Sequence, residues 1–390
     1  MASRYFVIFM LVGSVTACVS TSNNNVASYD KNAGTVYPPV SFFITRPTAE
    51  LNQQCLQFAD DSVMQHCQIN QFDASLYWQQ LHGSGLFERV MFAGEGSDYQ
   101  VLVSTANMSR ETAADITKAA VAGATLMLLP VTNEFSVRAE VTVLWRDLVL
   151  KRFSYDVPFS HTMSLFHKPD EGAQHFAQTL MSYFLRDIEQ QQVFSGAFLL
   201  SALQDSDYLQ QLKAPAQLGD FQLAGQHIYN DPLAGTQLRY INQNFIDDYI
   251  DVFVYPIRRT DWQEPSLVMH DELENVRKEL QLFYQQQNKI MKLQEAKTIS
   301  WQHESGDFHG SYFELTIEDI ESLPSSTYLF IAEDKFIKLR CTFGADHAES
   351  LVKALIPKII VPDESLFMAT LRQRFREQMQ PSGRHSATNP

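Results

Sequence analysis

Few residues in this chain have both the type and the spacing for chemistry, and the densest group is the string HESGDFHG, His303 to Gly310. Two imidazoles and two carboxylates could complete a tetrahedral zinc site. If Trp301 and Tyr312 lie on neighbouring strands, the hairpin between them brings His303 and His309 near each other, with Glu304 and Asp307 in its loop. A metal site made of His303, His309 and Asp307 is one reading. The other, which we prefer, is a polar hairpin tip kept in water. A nucleophile elbow needs Gly-x-Ser-x-Gly after a strand; Gly83-Ser84-Gly85 is two positions short and interrupts a helical pattern. Gly94-Glu95-Gly96 lacks the third glycine and the following helix of a phosphate cradle, and reads as a turn. Glu140 and Asp251 are carboxylates without a carboxylate partner, a weak basis for general acid–base work. No His-Glu-x-x-His is present. No catalytic residue is assigned on these grounds, and no cofactor is implied.

The remaining chemistry belongs to four cysteines. Arg4 is followed by the apolar run Phe6 to Val15, FVIFMLVGSV. A membrane-spanning helix needs roughly 20 apolar residues, so this run has the length of a signal-peptide core instead. It ends in Val15-Thr16-Ala17-Cys18: aliphatic, small, small, cysteine. That pattern resembles the lipobox of bacterial lipoproteins. The resemblance implies that residues 1–17 are removed. It also implies that the Cys18 sulfur carries diacylglycerol as a thioether and that its amino group carries an acyl chain such as palmitate. More than one chain makes anchoring stable. Val19 stands where an Asp would retain an enterobacterial lipoprotein in the inner membrane, so the implied location is the outer membrane, facing the periplasm. That compartment is oxidising, which makes Cys55 and Cys67 a candidate disulfide. A continuous helix between them would hold their Cα atoms about 18 Å apart, so the bridge requires a turn, for which Asp60-Asp61-Ser62 is the candidate. Cys341, in FIKLRCTF, alternates with polar residues on a strand pattern and is expected to be a buried free thiol.

The elements that must carry these residues follow from patterning. Residues 18–35, rich in Ser and Asn, read as a flexible tether. A first domain is expected over 36–200. It would hold a strand at TVYPPVSFFITRP, a broken helix from Asp73 to Phe92, a strand at Asp98–Ser104, and an apolar run over 113–129. Two strands joined at Arg146-Asp147 and an amphipathic helix over 171–192, with Phe176, Ala177, Leu180, Phe184 and Ile188 on one face, would complete it. A second domain is expected over 220–365. In it YIDVFVYPI, apolar on both faces, reads as a central strand. A helix from Leu267 to Leu293 would bury Leu273, Val276, Leu280, Phe283 and Ile290. Asp346 with Glu349 suggests a capping box opening a later helix. Residues 378–390 are expected to be disordered. The fold class expected is α+β, each domain a mainly antiparallel sheet packed with helices. The phrases GLFERV and SDYQVLVS, with the paired strands that follow, resemble the periplasmic α/β domain of curli-secretion lipoproteins and of lipoprotein activators of peptidoglycan synthases. The second domain loosely resembles PsbP-type proteins. The first resemblance implies a role in protein contact.

The chain carries a net charge of −15, which repels nucleic acid and anionic lipid headgroups and excludes both as partners. The expectation is therefore a lipid-anchored, non-enzymatic periplasmic protein that touches the membrane through Cys18 and works by binding or scaffolding an envelope protein. The alternatives are a metal-dependent enzyme centred on His303 and His309, and a carrier of an apolar ligand.

Overall fold

The computed structural model describes residues 29–31, 34–60, 65–69, 73–110, 131–163, 171–304, 306–318 and 323–379. The expected signal peptide, Cys18, the expected tether before Tyr29, the apolar run over 113–129 and the residues beyond 379 lie outside the described residues, as do Asp61 and Ser62 of the candidate turn.

The first sheet contains β1 (Val40–Ile44), β2 (Gln65–Ile69), β3 (Val90–Phe92), β4 (Tyr99–Arg110), β5 (Val131–Trp145) and β6 (Leu148–Met163), in the order β3-β1-β4-β5-β6 with β2 beside β4. Among the strands described, the parallel pairs are those of β1 with β3 and with β4. Arg146 and Asp147 join β5 to β6 with φ of 45° and 64°, the two left-handed residues that a tight right-twisting hairpin requires. Helices α1 (Ala49–Asp60), α2 (Ala74–Gly83), α3 (Glu171–Gln190) and α4 (Gly196–Leu203) accompany this sheet. The predicted stripe of α3 is fully buried from Phe176 to Ile188, in one core with Val101, Val141 and Val143. The helix expected to reach Phe92 stops at Gly83. There Ser84 Oγ donates to the Leu81 carbonyl at 2.6 Å, Gly85 turns with φ of 62°, and Val90–Phe92 pair as β3 instead. Cys55 on α1 and Cys67 on β2 are disulfide-bonded, their Cα atoms 5.4 Å apart.

The second sheet contains β7 (Gln217–Leu218), β8 (Phe221–Ile228), β9 (Thr236–Asn242), β10 (Tyr249–Pro256), β11 (Ile290–Leu293), β12 (Lys297–His303), β13 (Gly306–Glu318), β14 (Leu323–Ala332) and β15 (Lys335–Cys341). It is antiparallel, in the order β11-β13-β14-β15-β10-β9-β8-β7 with β12 beside β13. β10 is interior, paired on both sides, as its two apolar faces predict. The fold is thus α+β, with two mainly antiparallel sheets packed with helices. Helix α5 (Pro265–Gln286) covers one face of the second sheet with Val268, Leu273, Val276, Leu280 and Tyr284. It ends seven residues before Leu293, because Asn288 turns left-handed (φ 54°) and residues 290–293 join the sheet as β11. Phe283 and Ile290 are consequently exposed, and Tyr284 takes the fourth place in the stripe. Helix α6 (Ala345–Leu355) covers the other face. No capping box forms at its start. Glu314 reaches over from β13, and its Oε1 accepts from the Ala345 amide at 2.8 Å. Cys341 is buried and unpaired, and burial pushes its thiol up to about 12, where it stays protonated.

Helix α7 (Leu366–Met379), which lies beyond the expected second domain, ties the halves together. Phe367 and Met368 enter the core of the first sheet, the Phe367 ring 5.9 Å from Trp145. On the same helix Arg372 is fully buried beside the β14–β15 turn. Its guanidinium lies 2.9 Å from Asp334 Oδ2, contacts Glu364, and donates to the Ile257 carbonyl. Lys335, also fully buried, pairs with Asp334 and donates to the Asp363 carbonyl at 3.2 Å. Asp205, at the end of α4, adds a further carboxylate whose Oδ1 accepts from Ser365 Oγ at 3.2 Å.

Candidate functional site

The second sheet opens along one seam. β13 and β14 pair from Ile317↔Leu323 to Gly310↔Phe330, and the ladder stops there. Both strands continue: β13 runs back to Gly306 on its ladder with β12, and β14 runs on to Ala332 on its ladder with β15. The two hairpins therefore splay, and a slot of about 840 Å³ lies between them under the first turns of α5. Gly310 sits at the apex because the Phe330 ring lies across it. A Cβ there would fall 2.4 Å from a ring carbon and 2.8 Å from the Leu329 carbonyl oxygen.

The slot passes between the two cores that flank the sheet. Phe330, Ile337, Ile356 and Ile359 line it on the α6 side, and Leu273 and Ile331 on the α5 side. Polar side chains collect at the mouth: His270 from α5, Lys297 from β12, and Asp307 and His309 from β13, all exposed. A pocket of this size, with an apolar interior and a few polar groups at the rim, is the usual form of a ligand-binding site.

The three residues proposed for a metal meet different fates. Asp307 and His309 lie two apart on β13 and share the α5 face. His303 pairs with Gly306, three residues before His309, an odd offset that turns its side chain to the opposite face. There its ring lies 6.2 Å from Phe308, beside Trp301. The register thus separates the imidazoles that sequence proximity suggested would meet. Among the described residues no group of three His, Cys, Asp or Glu side chains is placed to hold a metal ion. The other carboxylates are accounted for. Glu140 accepts from Thr48 Oγ1 at 2.5 Å, and Asp251 is clamped by Arg239 through two hydrogen bonds of 2.7 and 2.8 Å.

Among the aromatic residues of the first sheet, Phe42, Tyr77 and Phe87 are core, and Phe92 is half exposed beside Trp78. A second groove, between α5 and β10, holds Lys338 over the rings of Phe253 and Tyr255, 5.2 Å from each. Burial lowers its ammonium from the usual lysine range, opposed by Glu279 at 4.0 Å. The slot and α7 were not anticipated from sequence. The one local signal for the slot was Gly310, an isolated glycine inside a strand pattern, which marks a bulge or a close approach.

No protein-family model matches the chain, and no curated protein matches it. Among solved structures, the chain is similar to cyanobacterial PsbP (CyanoP) from Synechocystis sp. PCC 6803, at 12% identity and a TM-score of 0.25, over 39% of this chain and 92% of that one. At that TM-score the likeness carries no argument about fold or function.

Proposed function

We propose that this chain is a non-catalytic binding protein of the bacterial outer membrane, held there by lipid on Cys18 and facing the periplasm, and that it contacts an envelope protein through the slot between β13 and β14. The observation that supports binding is the slot itself: an apolar interior reached from solvent between two strands of the second sheet. The lipobox resemblance supports the address. A membrane anchor raises the local concentration of the slot toward partners in the same membrane, so modest intrinsic affinity suffices.

The test joins the two parts. A photo-crosslinking amino acid is placed at exposed Ala296, on the slot rim, and at exposed Glu95, on a turn of the first half, in cells carrying native Cys18 or Cys18→Ser. The expected result is a discrete protein adduct from position 296 and none from 95, with the adduct at least tenfold weaker for Cys18→Ser, which leaves the membrane fraction. Equal adducts at both positions would refute the slot as the binding face. Membrane retention of Cys18→Ser would refute the anchor.

A further inference from the structure

Resting on the binding reading above, we infer that the slot accepts an extended apolar segment of the partner as an added β-strand between β13 and β14. Three observations carry this. First, the facing edges of both strands are open. Among the described residues, neither Asp307–His309 nor Ile331 makes a backbone hydrogen bond outside the ladders to β12 and β15. An open strand edge is a template for another strand, and an extended peptide satisfies it through its main chain. A small apolar ligand fills volume and leaves those groups unmatched. Second, the walls are apolar on both sides of the sheet plane: Phe330, Ile337 and Ile356 on one, Leu273 and Ile331 on the other. Alternate side chains of an inserted strand point to opposite faces, so both sets are buried. The segment that fits is a continuous apolar run, the signature of an interior strand. It is short, since β13 offers only Gly306 to His309 before the existing ladder begins. Third, charge at the mouth permits it. Lys297 and Asp307 both line the slot, so its formal charges balance, and the other titratable side chains there are the imidazoles of His270 and His309. In a chain of net charge −15 this rim carries no acidic surplus to repel an uncharged or mildly acidic segment.

The experiment uses the full mature chain with Cys18→Ser and three probes. One is an acetylated pentapeptide of alternating valine and isoleucine with a C-terminal lysine pair for solubility. The second is the same peptide N-methylated at alternate residues, and the third is laurate. Amide hydrogen exchange is followed at residues 306–310 and 330–332, with affinity from anisotropy of labelled peptide. The expected result is tenfold or greater slowing of exchange at both segments by the first peptide. Affinity should fall at least tenfold on N-methylation, and likewise in the rim variants Ala296→Trp and Thr298→Trp, both at exposed positions. Equal binding of the N-methylated peptide would overturn the added strand. Slowing by laurate but not by peptide would also overturn it, and would make the slot a site for an apolar small molecule. With neither probe bound the strand inference fails, and the crosslinking result at position 296 decides separately whether the slot binds at all.

Discussion

Asp205 offers a quantitative test of how the two halves are joined. Its carboxylate is buried at the junction of α4, the β14–β15 turn and the start of α7. One oxygen accepts from Ser365 Oγ, and the other is buried without a partner among the described residues. Burial pushes its pKa from the ordinary 3.8 up to about 6, assisted by the charge of Asp334; the Ser206 amide, Ser365 and Lys335 pull the other way. The sign follows from linkage. Between pH 3.8 and about 6 the folded chain binds a proton that the unfolded chain has released, so stability falls as pH rises through that window and stays lower above it. The rise corresponds to about 3 kcal/mol at pH 7 and above, at roughly 1.4 kcal/mol for each tenfold change in acidity. Asp205→Asn removes the ionisation while keeping the acceptor for Ser365. The expected outcome is a variant more stable than the native chain by up to about 3 kcal/mol at pH 8, with the gain shrinking below pH 6 and absent near pH 3.5. Urea midpoints of the two proteins, both with Cys18→Ser, measured from pH 3.5 to 8, would show it. A gain independent of pH, or a loss of stability at pH 8, would refute the reasoning; the latter would mean that the carboxylate is ionised and held by Lys335 rather than burdened by burial.

Two further outcomes test the packing. Replacing Cys55 and Cys67 together by serine opens a loop with sequence separation 12 and should lower stability by about 3 kcal/mol on the chain-entropy argument; reductant should shift the native urea midpoint and leave that of the double variant in place. Phe367→Ala removes a buried ring of α7 from the first core. It should cost about 3–5 kcal/mol and red-shift the emission of Trp145, which the ring contacts.

What could be read from the sequence was whatever a local period determines. The α3 stripe, the interior position of β10, the Arg146-Asp147 hairpin and the buried face holding Cys341 each depend on a repeat of two or about 3.6 within a single element. What could not be read depends on relations between elements. Whether His303 and His309 meet is decided by hairpin register, and an offset of one residue reverses the answer. The slot exists because a ladder stops at Gly310 while its strands run on, and no periodicity encodes where pairing ends. Arg372 illustrates the same limit. In the string RQRFREQ it looks like one charge of a solvated helix, yet it is fully buried, because Asp334 and Glu364, 38 and 8 residues away in sequence, surround it with acceptors.

The docking of Tyr29 bears on how the proposed anchor would position the slot. The first domain was expected to begin at 36, but the Tyr29 ring packs on the first core, its hydroxyl donates to Glu189 at 2.9 Å, and Lys31 donates to the Gly85 carbonyl at 2.6 Å. A chain spans at most about 3.6 Å per residue, so a lipid on Cys18 would hold that surface within about 40 Å of the membrane, against about 65 Å for a body beginning at 36. Under the proposed anchor, the first half would then be the part tied directly to the lipid. The second half, joined to it through Phe367, Met368 and the buried charges around Arg372, is carried as one piece with it rather than swung freely. A partner reaching the slot would therefore have to come to a surface whose distance from the bilayer is set by α7 as much as by the lipid. If the proposed anchor holds, weakening the α7 junction with Phe367→Ala should therefore lower the crosslinked adduct from position 296 even with Cys18 intact.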